Sequence, residues 1–312
     1  MSISGKTQLL GLMGWPVSHS FSPAMHNAAA VALGLDFVYV ALPVHPDEVE
    51  TAVRGLPALG FRGVNVTVPH KQAVMPFLHE IEAGAKAIGA VNTIVVNRGQ
   101  FTVDSLQFTV NNNPSVHSPL ATHHSLLATL SGSNTDWSGF LADLAGLGVD
   151  VNGRSCLVLG AGGSARAVAY GLAQAGGQVL VLARRVAQAQ LLVTEIAPHV
   201  DGEGWLLAGD MGELETAVAA ATAPLIVNTT PLGMSPHNET SPWPDDLPFP
   251  VDAFAYDLVY NPAITRFMQQ AQTGGCQTAN GLGMLLHQGA QAFAHWTGQQ
   301  PDLAVMRAAL GK

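Results

Sequence analysis

The stretch Asn65-Val-Thr-Val-Pro-His-Lys71 ends in one of four lysines in the chain, the others being Lys6, Lys86 and Lys312. Asn65 to Val68 alternate with a β-branched bias, which predicts the end of a strand. Pro69 suits the first turn of a helix, because its missing N–H is one that a helix leaves unpaired anyway. The spacing therefore predicts Lys71 in a helix's opening turn, where the positive end of the dipole favours a neutral amine able to accept a proton. A solvated surface lysine is the commoner reading of any single lysine; scarcity and the misplaced charge single this one out. A second titratable group stands in Gly132-Ser-Asn-Thr-Asp-Trp-Ser-Gly-Phe140. Asp136 opens a helix predicted over 136–147, with Asn134 or Thr135 as its cap, and the dipole keeps this carboxylate ionised. A plain helix-start aspartate explains it equally well. Facing Lys71 across a cleft, it would complete an amine and carboxylate pair able to manage a proton.

Further polar groups recur at element starts. Ser22-Pro23 predicts a helix N-terminus running to Leu33 before Gly34, and Ser20 and Ser22 beside it suit a carboxylate or phosphate, although capping alone would account for them. Asn92, in Gly89-Ala-Val-Asn-Thr93, is an uncharged donor and acceptor at a strand entry, or a simple turn residue. His19 and His26 are spaced wrongly for a one-face metal pair, the adjacent His123 and His124 point apart, and Cys156 and Cys276 have no metal spacing. No metal is expected.

The strongest local signal is Ser155 to Arg185. A buried strand, Cys156 to Leu159, runs into Gly160-Ala161-Gly162-Gly163-Ser164-Ala165, then a helix over 164–175, a Gly176-Gly177 stop and a second strand over 178–182. This is the dinucleotide fingerprint in its required context: Gly160 for the tight turn, Gly162 for close approach of a pyrophosphate, Ala165 for close packing. Where an acid for the ribose of NAD would stand, the chain has Ala183-Arg184-Arg185. Two guanidiniums and no carboxylate point to a 2'-phosphate, hence NADP(H).

The elements that must position these groups follow a strand–helix rhythm. Gln8 to Gly14, Asp36 to Pro43 and Arg62 to Val68 read as strands, with helices over 47–59 and 76–87 and a further strand through Val96. This predicts an α/β fold with a largely parallel sheet, whose ligands gather at the carboxyl ends of the strands. Residues 98–131 read as a mobile insertion rich in Asn, Ser, Pro and His, with strand alternation only at Phe101 to Val110. Leu225 to Met234 gives a buried strand with a polar loop containing Thr229, residues 236–250 a surface loop, and Ala253 to Pro262 a strand. Helices follow over 263–273, 280–298, which carries Gln288, and 302–310.

The chain has 312 residues, 48% hydrophobic and 11% charged, with a formal net charge of -9. Charged residues usually make up about 25% of a soluble domain, so much of this chain should be packed inside two domains with a cleft between them. The mean hydropathy is +0.25, yet no apolar run approaches the roughly 20 residues of a spanning helix. The few scattered arginines make no basic stripe for nucleic acid, and the first residues lack the pattern of a secretory signal. A cytoplasmic protein without nucleic-acid or membrane partners is expected, as a monomer or a homodimer.

With these pieces assembled, the chain resembles the shikimate dehydrogenase family over nearly its whole length. The resemblance is carried by GWPVSHSFSPAMHN, NVTVPHK, GAVNT, SNTDWSGF, GAGGSARA, NTTPLGM, YDLVYNP and NGLGMLLHQGA, in the family's order. It implies an N-terminal α/β substrate domain, residues 1–133 with 282–312, and a Rossmann-type dinucleotide-binding domain with a parallel sheet, residues 134–281. It implies reversible NADPH-dependent reduction of 3-dehydroshikimate to shikimate. By the same resemblance Ser20 and Ser22 hold the substrate carboxylate. Asn65, Thr67, Asn92 and Gln288 bind ring hydroxyls, Tyr260 lies on the substrate side, and Lys71 and Asp136 are the catalytic pair. Gly160, Ala161, Gly162, Gly163, Ser164 and Ala165 bind pyrophosphate, with Thr229 beside them; Arg184 meets the 2'-phosphate, where the charge of Arg185 is this chain's own addition, and Leu258, Gly281 and Met284 lie near the nicotinamide. Two features depart from the family pattern: Ala183-Arg184-Arg185 replaces Asn-Arg-Thr, and segment 98–131 is longer than the usual hairpin. The alternatives are a quinate/shikimate dehydrogenase using NAD, a methylene-tetrahydrofolate dehydrogenase, which the serine pair disfavours, and a non-catalytic NADP-responsive regulator on the same fold.

Overall fold

The computed structural model describes residues 3–98, 128–201 and 203–311. The strand alternation at Phe101 to Val110 and the pair His123 and His124 lie outside the described residues.

The first half builds one sheet. Strands β1 (Gln8–Gly14), β2 (Phe37–Pro43) and β3 (Phe61–Val66) lie parallel, connected through helices α1 (Ser22–Ala32) and α2 (Val49–Gly55). After them come β4 (Glu80–Ile81), α3 (Ala83–Ile88), β5 (Thr93–Arg98) and β6 (Ala128–Ser133), in the order β2-β1-β3-β5-β6-β4. The sheet is largely parallel as expected, with β5 alone reversed against both its neighbours. The strand–helix rhythm misses this because it carries direction only where neighbours are joined by a simple crossover.

One expected helix is absent and another is much shortened. The Val68–Pro69 peptide is cis and residues 68–74 run through consecutive turns, so no helix begins at Pro69. The helix expected over 76–87 is a 3-10 turn at Met75–Phe77, then β4, with α3 starting only at Ala83. Here tertiary pairing overrides periodicity: Glu80 and Ile81 pair with Ser131 and Gly132, while Leu78 and Ile81 cover the sheet. The helix expected over 47–59 contracts to α2 behind a 3-10 turn, Pro46–Glu48.

Helix α4 (Asp136–Gly146) leads into the second sheet. Its strands are β7 (Ser155–Leu159), β8 (Gln178–Ala183), β9 (Trp205–Asp210), β10 (Leu225–Asn228), β11 (Phe254–Asp257) and β12 (Gln277–Asn280). They lie all parallel in the order β9-β8-β7-β10-β11-β12. This is the doubly wound order 3-2-1-4-5-6, whose crevice opens at the carboxyl ends of the first and fourth strands in sequence. Helices α5 (Gly163–Gln174), α6 (Val186–Ile196), α7 (Leu214–Ala220) and α8 (Arg266–Thr273) cover it. The unit α6-β9-α7 carries no expectation from the sequence. Alternation along each strand divides the core: Cys156 and Val158 face the side of α5 and α6, while Leu157 and Leu159 face the side of α7 and α8. The proline-rich loop over 236–250 is more than surface, since Trp243 and Phe249 stack at 4.0 Å and complete that second core against Phe267.

The last helices return to the first half. Helix α9 (Leu282–Thr297) buries Leu286, Phe293 and Trp296 against α1 and β2, with α10 (Leu303–Ala308) behind it. It also buries Met284 in the core of the second sheet. The Trp296 indole donates to the Ile94 carbonyl at 3.0 Å, over Gly63, where any Cβ would strike the ring. No helix among the described residues is long and apolar enough to cross a membrane.

Candidate active site

Lys71 is delivered by the turn after β3, and its carbonyl accepts the Val91 N–H at 2.8 Å, which ties that turn to the entry of β5. Its Nζ donates to Asp136 Oδ2 at 2.6 Å, the two side chains being 17% and 10% exposed. The helix dipole invoked for Lys71 has no helix to arise from; Asp136, by contrast, does open α4. Thr135 occupies the N-cap position without capping, and Asn134 Oδ1 instead accepts the Asp136 N–H at 3.0 Å.

Asn92 is the hub beneath this pair. Its Nδ2 donates to Asp136 Oδ1 at 2.9 Å and to Thr135 Oγ1 at 3.0 Å, with Gln288 Oε1 at 3.4 Å. Its Oδ1 accepts from the Thr135 N–H at 2.8 Å and from Thr93 Oγ1 at 2.9 Å. Asn65, at the end of β3, donates through Nδ2 to the Asn92 carbonyl at 3.2 Å and to Thr93 Oγ1 at 3.3 Å. Lys71, Asp136, Asn92, Asn65 and Gln288 therefore form one connected polar network from four separate elements. Thr93 and Thr135 complete it. Both stand inside motifs that the sequence singles out, yet nothing in their spacing announces the contact.

The serines lie at the start of α1. Phe21 takes the N-cap position with no side-chain cap, so Ser22 does not cap as expected; it is the first helical residue and is buried. Ser20 Oγ accepts the Ser22 N–H at 3.2 Å. Tyr260, from the loop after β11, packs its ring 5.7 Å from that of Phe21, bringing the far half of the chain beside the serines. Burial pushes the Tyr260 phenol up. Thr67 follows β3, with its N–H on the Met13 carbonyl at 2.9 Å.

On the other sheet, the loop Gly160 to Ala165 joins β7 to α5. Gly160 has φ of 109°, and a Cβ there would lie 2.8 Å from Thr229 Oγ1, so Thr229 borders the turn. Around Gly162 and Gly163 a Cβ would meet open space, whereas Ala165 is fully buried under the sheet. No side chain caps α5 and its first turn carries no acid, leaving its amide groups and dipole directed at the loop. Such a helix start fits an anionic pyrophosphate. Arg184 and Arg185 are exposed at the carboxyl end of β8, and no described residue forms an ion pair with either. The neighbouring acid, Asp210, pairs in register with Ala183 and is engaged in a capping box with Glu213. Gly281 passes so close to β11 that a Cβ would strike the Leu258 carbonyl, which brings these two residues together, while Met284 faces the core.

Fold and site together define a two-sheet α/β protein of the dinucleotide-binding class, with a lysine–carboxylate pair where the two halves meet. The comparisons with known proteins narrow this class. The model of the shikimate dehydrogenase substrate-binding domain matches residues 12–94, and that of the shikimate 5'-dehydrogenase C-terminal domain matches residues 281–310. A shikimate dehydrogenase (NADP(+)) of Carboxydothermus hydrogenoformans is 41% identical over 312 residues, covering 100% of this chain and 99% of that protein. The crystal structure of a shikimate dehydrogenase in complex with NADP+ matches with a TM-score of 0.83 and 36% identity, over 99% of this chain and 96% of that one. A quinate dehydrogenase from Corynebacterium glutamicum in complex with NAD gives 0.81 and 32%, over 97% and 98%. The chain belongs to the shikimate dehydrogenase family.

Proposed function

We propose that this protein catalyses the reversible NADPH-dependent reduction of 3-dehydroshikimate to shikimate, a step of aromatic biosynthesis. The observation that carries the reading is the Lys71–Asp136 pair at 2.6 Å, hydrogen-bonded through Asn92 to Gln288 and Asn65. A ketone reduction needs a hydride on carbon and a proton on oxygen. The nicotinamide cofactor, when bound, supplies the hydride. Lys71 gives the proton to the C3 oxygen, and in the reverse direction takes it from the C3 hydroxyl; Asp136 orients the ammonium group and the hydroxyls. Asn65, Thr67, Asn92 and Gln288 take the ring hydroxyls, Ser20 and Ser22 the carboxylate, with Tyr260 beside them. The Gly160–Ala165 loop with Thr229 would hold the pyrophosphate, Arg184 and Arg185 the 2'-phosphate, and Leu258, Gly281 and Met284 the nicotinamide end. The substrate half comprises residues 1–133 and 282–312 and the nucleotide half 134–281. The protein works in the cytoplasm as a monomer or homodimer, without nucleic-acid or membrane partners.

Preference for NADP over NAD rests on two exposed guanidiniums that have no ion-pair partner among the described residues and on the engagement of Asp210 elsewhere. The similarity to a quinate dehydrogenase holding NAD supports a second reading, a quinate/shikimate dehydrogenase using NAD. One spectrophotometric experiment separates them: oxidation of shikimate and of quinate with each nucleotide. The expected result is the highest kcat/KM for shikimate with NADP+. Higher values with NAD and quinate would replace the first reading by the second. No reduced nucleotide from any combination, with nucleotide still bound, would make the chain a regulator.

A further inference from the structure

Tyr39 stands in the sequence only as a member of the alternating strand β2, yet its surroundings are those of a site residue. It is 2% exposed, and its hydroxyl donates to Asn65 Oδ1 at 2.8 Å. Burial pushes the phenol well up, with Ser22 opposing in part. The ring is held flat against His26, centroids 4.3 Å apart at 13°, with Trp296 at 6.1 Å. His26 follows Ser22 by one helical turn, so both approach Tyr39 from the same face of α1. Among the described residues, neither ring nitrogen of His26 reaches a partner in hydrogen-bond geometry. Tyr39 thus joins Asn65, through its hydroxyl, to α1, through its stack on His26 and its backbone hydrogen bonds with Asn27.

We propose that Tyr39 is a positioning residue for the substrate, its hydroxyl holding the Asn65 amide while its ring and backbone are fixed to α1 by His26 and Asn27, so setting the spacing between the groups that take a ring hydroxyl and the carboxylate. This rests on the reading of Asn65 and Ser22 given above. The proton inventory supports it. Asn65 Nδ2 has both hydrogens directed at β5, on the Asn92 carbonyl and Thr93 Oγ1, so only Oδ1 is left for Tyr39 and substrate. A flipped amide would turn its oxygen toward the Asn92 carbonyl, which can only accept. The phenol spends its one proton on Asn65, so when Ser22 turns its own proton to a carboxylate, the Tyr39–Asn65 bond stays in place.

Tyr39→Phe keeps the stacked ring and removes only the hydroxyl. The expected result is a rise of about tenfold in KM for shikimate, the worth of one buried hydrogen bond. kcat should stay within about twofold, and KM for NADP+ should not change, the signature of lost uniform substrate binding. In an Asn65→Ala background the same substitution should add no further rise, because residues acting through one another are non-additive. Three results overturn the proposal: an unchanged KM, an equal added factor in the Asn65→Ala background, or a fall in kcat and Tm with KM unmoved. Turnover of shikimate by the wild-type enzyme is the control. Its absence overturns the functional reading and this inference together, whereas with normal wild-type turnover the variants bear on Tyr39 alone.

Discussion

Lys71 and Asp136 are mostly withdrawn from solvent, and each keeps further company: the carboxylate has Asn92 on its other oxygen, and the lysine's backbone is fixed to Val91. An exposed pair of this kind would contribute little; held at this depth it keeps the ammonium group in one place. General acid–base help is worth about 10²- to 10⁴-fold, so Lys71→Ala should lower kcat within that range and leave NADP+ affinity unchanged. Steady-state rates together with a nucleotide titration check this, and undiminished turnover would remove Lys71 from the reaction. The residue was legible in the sequence, but for a local reason the structure overturns, since no helix starts at Pro69. What marks it is a partner far along the chain. From spacing alone Asn92 was legible as a polar strand entry, its binding role coming with the family resemblance, Thr135 as a candidate helix cap, and Thr93 and Tyr39 not at all, because hydrogen bonds between distant elements leave no periodic trace.

At the scale of elements, the site depends on how closely α4 and α9 approach, since α4 carries Asp136 and α9 carries Gln288. Glycines on both sides set that distance. A Cβ at Gly139 of α4 would lie 2.6 Å from the Gln288 backbone nitrogen, and one at Gly283 of α9 would strike the Asp143 carboxylate. Around this crossing Ser138 Oγ donates to Gln291 Oε1 at 2.5 Å and Tyr256 donates to Asp143 Oδ2 at 2.6 Å. Gly139→Ala must push the helices apart, an overpacking cost of about 1 to 3 kcal/mol. It should lower Tm and also lower kcat/KM, because Gln288 moves off Asn92; a Tm and kcat/KM equal to wild type would show that the crossing has slack. The strands β1, β7 and β8 and the helices α5 and α9 were legible close to their bounds, because apolar periodicity and glycine stops coincide there. The glycine contact between α4 and α9 was not, since each helix reads as ordinary alone. The direction of β5 and the extra unit α6-β9-α7 were likewise set by sheet pairing rather than by local pattern.

Across the whole molecule, the two halves are joined by more than the site. Arg166, on α5, donates through Nε to the Ile88 carbonyl at the end of α3 and pairs through Nη1 with Glu195 at 2.7 Å. Two buried titratable groups, one in each half, give this joined molecule a pH response. Burial pushes His26 down to about 3, with Asn65 opposing only in part. Burial pushes Asp257 up to about 6, against the hydrogen bonds from Thr265, the Val259 N–H and Asn228. Stability changes with pH by about 1.4 kcal/mol per unit for each proton by which the unfolded and folded states differ. For His26 the folded pKa is depressed, so its contribution is present above the ordinary histidine value near 6.5 and is lost as pH falls toward 3. For Asp257 the folded pKa is raised, so its contribution is present below the ordinary aspartate value near 4 and is lost as pH rises through about 6. Between about pH 4 and 6 the two oppose each other, and their contributions to the slope nearly cancel. Asp257→Asn keeps a side chain able to donate to Thr265 and no longer titrates, which leaves the His26 slope uncovered. The variant should lose about 1.4 kcal/mol per pH unit relative to wild type on acidification from about 6 to 4, measured by denaturant unfolding at several pH values. Parallel curves for the two proteins would show that Asp257 stays ionised in the folded state throughout that window.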